Sequence, residues 1–179
     1  YELNYKKNIG EQVLQSSLFY RSRKDKIERL RVPYEAGVTL DSMANVGNDH
    51  ALGMELSGQF IVNKWWNLNV NGNVYYYKVV NNINSGGKEE TSTNYDITVN
   101  NLLRICKNTR IQLDGNFVGP SVTTQGRSDS FWFVNLAIRQ QWFGSNLQST
   151  LSFRDIFNSA RYKNDITTPN LESVTHIRP

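Results

Sequence analysis

An all-β fold, an antiparallel up-and-down meander of about eight strands, is the architecture that this sequence predicts. Two observations predict it. Apolar residues recur at every second position in segment after segment, and the connections between these segments alternate between short and long. Successive side chains of a strand point to opposite faces, so this period indicates a sheet with one apolar and one polar face.

The alternation is clearest in residues 66–77 (WNLNVNGNVYYY). Asparagine stands at every second position from Asn67 to Asn73, and apolar residues or glycine stand between. A helix would distribute these asparagines around its whole circumference, so the pattern favours a strand. The same alternation is found in the opening segment at residues 3–5 and in residues 14–21, 52–60, 95–105, 110–117, 132–142 and 147–154.

The connection lengths predict how the strands are joined. Short turns are expected at residues 8–11, 63–65, 107–108 and 144–146, and long polar links at 22–48, 80–94, 119–128 and 155–171. A meander gives this order when one rim carries tight turns and the other carries extended loops. Bacterial outer-membrane barrels have this arrangement, with the tight turns on the periplasmic side.

The aromatic residues support a membrane wall. No apolar run approaches the roughly 20 residues of a spanning helix, so a membrane would be crossed by strands. Tyr and Trp prefer the headgroup level, and here they cluster near strand ends. The sequence therefore predicts part of a transmembrane β-barrel. The predicted aromatic girdle consists of Trp65, Trp66, Tyr75, Tyr76, Tyr77, Trp142 and Phe143.

The polar face is predicted to line the lumen. The candidate lumen-facing residues are Asn67, Asn69, Asn71, Asn73, Arg104, Arg110, Asp114, Arg139 and Arg154. Any lumen wall must be polar whatever it transports, so no single member of this set identifies a ligand. A charge on the lipid face would cost about 2–4 kcal/mol at mid-bilayer, and the apolar faces carry almost none.

The sequence gives little sign of catalysis or of bound cofactors. The net charge of +4 comes from basic residues spread along the chain, which argues against nucleic acid as a partner. His50 and His176 are far apart in the sequence, and the single Cys106 excludes an internal disulfide or a multi-cysteine metal site. We therefore expect no enzyme activity, no catalytic residue, no metal site and no cofactor.

Several segments resemble TonB-dependent outer-membrane receptors, closest to the large β-barrel family common in Bacteroidetes. Residues 1–7 (YELNYKK) are similar to a recurrent strand of that family, written YELGYKK. Residues 25–29 (DKIER), and residues 45–48 (NVGN) leading into 52–56 (LGMEL), resemble its distal barrel. Residues 119–127 and 154–159 are similar to its late strands and loops.

The resemblance implies an outer-membrane location and energised uptake of a scarce nutrient, such as a siderophore, cofactor or glycan. It also implies a barrel of about 22 strands around a plug. The 179 residues are then expected to be one fragment of the barrel domain, without plug, signal peptide or terminal strand. The implied partners are membrane lipid, the missing plug and remaining strands, and the TonB complex.

Two other interpretations stay open. A complete small eight-stranded outer-membrane barrel with a structural or adhesive role would have the same strand count. An outer-membrane enzyme or a soluble ligand-binding barrel is the third possibility. An enzyme would need a convergent nucleophile and base, which the sequence does not suggest. A soluble barrel would turn its apolar face inward and crowd large side chains at its centre.

Overall fold

The computed structural model describes residues 1–35, 37–81, 88–168 and 171–177. These residues form twelve strands and one short 3-10 turn, Phe143–Ser145. The strands are β1 (Glu2–Ile9), β2 (Gln12–Glu35), β3 (Val38–Asn63), β4 (Trp66–Asn81), β5 (Lys88–Arg104), β6 (Thr109–Val118), β7 (Ser121–Val122), β8 (Gly126–Ser128), β9 (Phe131–Trp142), β10 (Leu147–Phe153), β11 (Tyr162–Thr168) and β12 (Leu171–Ile177).

Eight strands form one antiparallel sheet in the order β1-β2-β3-β4-β5-β6-β9-β10. Each strand pairs with its neighbours along the chain, apart from the step from β6 to β9. The predicted all-β meander of about eight strands is therefore confirmed. Among the described residues the sheet is open, because β1 and β10 each have a neighbour on one side only.

The four short turns lie at one end of this sheet, as the sequence predicts. Gly10 takes a positive φ of 61° between β1 and β2, and Gly144 a φ of 65° between β9 and β10. Glycine reaches this left-handed region without the steric cost of a Cβ atom. The strands therefore reverse within a few residues at this end, and the other connections of the meander fall at the opposite end.

The longer connections differ from the prediction. Residues 22–48, predicted as a polar loop, are mostly strand: β2 and β3 continue as a paired hairpin from Val13–Gln59 to Glu35–Val38. Strands β4 and β5 likewise extend to Asn81 and Lys88. In these extensions polar side chains occupy both faces, so the sequence shows no alternation of apolar and polar residues. A hairpin outside the bilayer contacts water on both faces and does not need that alternation.

A second sheet, not predicted from the sequence, has the order β12-β11-β8-β7. It joins two of the predicted long links, because β8 pairs with β11 across 36 positions of sequence, from Ser128 to Asn164. Gly126 makes this pairing possible. A Cβ atom at that position would collide with the backbone carbonyl oxygen of Asp165.

Few side chains of the described residues are fully enclosed. Those that are apolar and buried are Phe19, Leu30, Tyr77, Val79, Val122 and Ala160, whereas most large apolar side chains are exposed on the sheet. No helix in the described ranges is long and apolar enough to cross a membrane.

Candidate functional site: the polar face of the sheet

The strand register assigns every side chain of the sheet to one of two faces, since directly paired residues share a face. Val70, for example, pairs with Gly58 on β3 and Val99 on β5. Its neighbour Asn69 pairs with Gln59 and Asn100. The apolar and polar series of successive strands therefore align into two continuous faces.

The predicted asparagine series lies on the polar face. Asn73 donates to Asp96 at 3.1 Å, and Ser57 donates to Asn71 at 2.8 Å. Asn67 pairs in register with Leu102, and Asn69 with Asn100. Asn71 and Asn73 thus bond to side chains on adjacent strands, and the asparagine series forms a polar layer along the wall.

Two other predicted lumen-facing residues, Asp114 and Arg154, lie at different positions on the sheet. Asp114 pairs in register with Asn100 and Asn135, within the asparagine layer, and accepts a hydrogen bond from Gln112 at 2.8 Å. Arg154 stands one residue past the end of β10, at the end of the sheet with the long connections. It therefore lies far from the other predicted arginines.

Three of the predicted residues form a row at the tight-turn end. Arg104 pairs with Arg110, and Arg110 pairs with Arg139, on the adjacent strands β5, β6 and β9. We call Arg104, Arg110 and Arg139 the arginine row. The sequence indicates each residue, but only the register brings the three together.

A buried charge cluster occupies the opposite end of the polar face. The Asp49 side chain is 3% exposed. It accepts hydrogen bonds from Arg23, at 2.9 and 2.5 Å, and from the Tyr77 hydroxyl at 3.0 Å, and its carboxylate lies 3.2 Å from Lys26 Nζ. Lys26 also forms an ion pair with Glu28. Sequence analysis did not identify this cluster, since its members lie on three strands and up to 54 positions apart.

The environment changes the pKa of several groups in this cluster, among them Asp49 and Lys26. Burial raises the pKa of Asp49, but hydrogen bonds from Arg23, Lys26 and Tyr77 outweigh it and hold the pKa below its usual range. Burial lowers the pKa of Lys26, but the hydrogen bonds to Glu28 and Tyr77 outweigh it and raise the pKa. Both groups are therefore charged at neutral pH.

The hairpin of β7 and β8 covers this cluster. Val122 packs with Tyr77 and Val79 in a small apolar core on the polar face. Thr124 donates to Glu28 at 2.5 Å. The side-chain amide of Gln125 accepts from the backbone N–H of Arg31 at 2.8 Å and donates to the Arg31 carbonyl at 2.9 Å. The β7–β8 hairpin thus fixes the second sheet to the extension of β2.

Two depressions lie on the polar face, one beside this cluster and one nearer the tight-turn end. One, of about 620 Å³, lies among polar residues of β1 to β5, such as Asn4, Ser17 and Asn71. Another, of about 570 Å³, is bordered by Phe19, Tyr75, Arg23 and Asp49. The polar face is therefore a wetted wall with room for small polar molecules.

The apolar face ends in aromatic residues at both rims. Trp65 and Trp66 stack at 6.1 Å at one tight turn, while Trp142 is half-exposed and Phe143 largely exposed at another. Trp66 Nε1 donates to Asn101 at 3.1 Å, which satisfies an amide on the apolar face. Tyr76 lies at the other end of β4, also on this face.

The predicted girdle needs a correction at two tyrosines. Tyr75 and Tyr77 point to the polar face, opposite to Tyr76, because successive residues of a strand alternate. Tyr77 is 8% exposed and bonded to Asp49. Tyr75 packs against the same core, and its backbone is so close to Gly53 that a Cβ there would meet the Tyr75 Cβ. Neither ring is placed to contact lipid.

The histidines and cysteine do not converge. His50 Nδ1 lies 3.1 Å from the Tyr20 hydroxyl, and His176 pairs in register with Lys163 in the second sheet. Cys106 is exposed in the turn between β5 and β6. In the part of the chain that the structure describes, no three metal-ligating side chains form a group.

Comparison with known proteins identifies a family. A model described as the outer membrane protein beta-barrel family matches residues 1–178. Neither the curated proteins nor the solved structures gave a match. The match covers nearly the whole chain, including both sheets.

Proposed function

The chain belongs to the outer membrane protein beta-barrel family of Gram-negative bacteria, and from this premise we propose that it is a barrel-wall segment of a TonB-dependent receptor. Such a receptor takes up a scarce nutrient, a siderophore, cofactor or glycan, with energy from the inner membrane. In this proposal the described residues contribute wall, rim and lumen surface.

The open sheet carries the proposal. An eight-stranded barrel closes by pairing its first strand with its last, yet β1 and β10 have no such pairing among the described residues. A sheet edge in lipid exposes unpaired donors and acceptors, each costing several kcal/mol, so further strands are needed at both edges. This favours a segment of a larger barrel.

The dimensions of the apolar face agree with a membrane wall. From Trp66 to Tyr76 a strand rises about 33 Å at about 3.3 Å per residue. With a tilt of about 40°, this corresponds to about 25 Å across the membrane, the height of the apolar band in outer-membrane barrels. Beyond Tyr76 the same face carries Lys78, paired with Glu89 at 2.7 Å.

The proposed partners follow from this role. They are membrane lipid on the apolar face, the remaining barrel strands at both edges, a plug against the polar face, and the TonB complex acting on the whole receptor. The proposal includes no catalytic step, no cofactor and no nucleic acid.

Uptake by the full-length protein tests the proposal. A deletion strain, with and without the complementing gene, is grown on ferric siderophores, vitamin B12 or oligosaccharides as the limiting nutrient. We expect the gene to restore growth on at least one of them, and the restoration to disappear when TonB is also deleted. Restored growth that persists without TonB would contradict the proposal.

The alternative is a complete small barrel with a structural or adhesive role, and the count of eight strands in the main sheet favours it. In that case the 179-residue chain refolded in detergent should form a closed monomer, with gel mobility that changes on heating. Failure to form such a monomer would exclude the small barrel.

A further inference from the structure

The arginine row places three like charges side by side. Cross-strand partners on one face have Cβ atoms about 4.5–5.5 Å apart, and like charges directly opposite one another destabilise a sheet. Arg104, Arg110 and Arg139 occupy this arrangement on three consecutive strands. The sheet therefore carries an unfavourable interaction that an anion between the guanidinium groups would relieve.

The residues that the structure describes place no carboxylate beside the arginine row. Strands β9 and β10 contain no acidic residue. The acidic residue of β6 is Asp114, four positions from Arg110 and so about 13 Å along the strand. Among the described residues, no side chain forms an ion pair or hydrogen bond with the three guanidinium groups. Other arginines of the chain, such as Arg23 and Arg31, are bonded to carboxylates.

A cavity lies between two members of the row. Its volume is about 160 Å³, and its walls include Arg110, Arg139, Gln112 and Thr150. At roughly 30 Å³ per water molecule it has room for about five waters, or for one hydrated oxyanion group. Gln112 and Thr150 add neutral donors beside the two charged ones.

We propose that the arginine row binds the oxyanion groups, phosphate or carboxylate, of a small multivalent anion at the tight-turn rim of the polar face. Guanidinium groups suit this ligand, because their planar donors match the geometry of two oxygens. In outer-membrane barrels the tight turns face the periplasm, so the site lies at the inner end of the wall. The proposal does not depend on energised uptake.

Titration of the full-length protein with pyrophosphate tests the site. The protein is held in a non-ionic detergent, and binding is measured by calorimetry for the wild type, Arg110→Gln, Arg139→Gln and Arg154→Gln. Arg154→Gln is the matched control, since it removes the same charge at the other end of the sheet. We expect about ten-fold or greater weakening for the two row variants and no change for the control, since a hydrogen bond to a charged group contributes about 1.5–3 kcal/mol.

Thermal unfolding separates loss of the site from loss of the fold. Without pyrophosphate, Arg110→Gln is expected to be at least as stable as the wild type, because repulsion is removed. With pyrophosphate, the wild type and Arg154→Gln should gain more stability than Arg110→Gln and Arg139→Gln. Equal weakening by all three variants, or no saturable binding of pyrophosphate, would overturn the assignment.

Discussion

At the scale of single residues, Asp49 organises the long-connection end of the polar face. Three donors, from Arg23, Lys26 and Tyr77, converge on its enclosed carboxylate. Asp49 pairs with Val79, three residues beyond the Tyr76 level, so the cluster lies outside the apolar belt. Buried charges persist only where partners satisfy them, and removing one partner leaves the others uncompensated.

Asp49→Asn is therefore expected to loosen the β7–β8 hairpin by about 1–3 kcal/mol, because Tyr77 and Lys26 lose an enclosed carboxylate acceptor. Hydrogen exchange of the backbone amides from 121 to 128, in the full-length protein, measures this change. Asp41→Asn is the matched control: it breaks an exposed ion pair with Arg31, at 2.8 Å, and should leave the hairpin unchanged. Equal effects of both variants would show that the buried cluster has no special role.

The same residue gives the prediction a pH dependence. The folded pKa of Asp49 lies below its unfolded value of about 3.9, so its contribution is complete above that value and is lost as the pH falls through the folded pKa. Protection of the hairpin, corrected for intrinsic exchange, should be constant from neutral pH to about 4 and fall below it. Asp49→Asn should remove this acid-dependent loss.

At the scale of elements, the second sheet connects parts of the chain that the meander leaves separate. Strand β1 pairs in register with β2 from Ile9–Gln12 to Glu2–Phe19, and the β2 extension beyond this pairing contacts the β7–β8 hairpin. The Gln125 amide satisfies the N–H and C=O of Arg31 on β2, as a neighbouring strand would. Side-chain-to-backbone hydrogen bonds thus hold the second sheet to the main sheet, together with the small apolar core around Val122.

Gly126→Ala is expected to destabilise the second sheet by about 1–3 kcal/mol, the usual range for overpacking. The added methyl group would meet the Asp165 carbonyl, so β8 and β11 would have to move apart. Amide exchange at residues 126–128 and 164–166 should accelerate, whereas Gly115→Ala, with no atom within 4 Å of its added carbon, should not change it. Unchanged exchange in Gly126→Ala would contradict the close approach.

At the scale of the whole molecule, the two faces of the sheet decide its environment. The apolar face is exposed in the structure and runs between aromatic rims, whereas the polar face bears the asparagine layer and both charged clusters. A membrane satisfies the first face and water the second, as the outer membrane protein beta-barrel family requires.

Substitution of adjacent residues tests this assignment. Val99→Arg places a charge on the apolar face near mid-bilayer and is expected to cost about 2–4 kcal/mol of unfolding free energy. Asn100→Arg, one residue away on the polar face, should cost far less because its charge stays in water. Urea unfolding of the full-length protein in lipid vesicles measures both, and equal losses would contradict the two-faced wall.

The sequence was sufficient for features that depend on local pattern. The two-residue period predicts the strands and the faces of Asn67 to Asn73, because alternation is a property of each strand alone. The positions of the tight turns were predicted from the short gaps between these alternating segments. The prediction was wrong where both faces of a strand are polar. Residues 22–48 were predicted as a loop because a strand surrounded by water needs no alternation of apolar and polar residues. The prediction was also wrong at Tyr75 and Tyr77. All three neighbouring tyrosines were assigned to the girdle, although the alternation of side chains puts only Tyr76 on the apolar face.

The tertiary structure alone decided which residues meet. The arginine row depends on the register of β5, β6 and β9, and a slip of one residue would turn one arginine to the other face. The Asp49 cluster and its β7–β8 cover depend on contacts up to 96 positions apart, such as that of Thr124 with Glu28. The sequence by itself determined a two-faced sheet, because that follows from residue order. The charged sites arise from pairing between strands, which residue order within one strand does not contain.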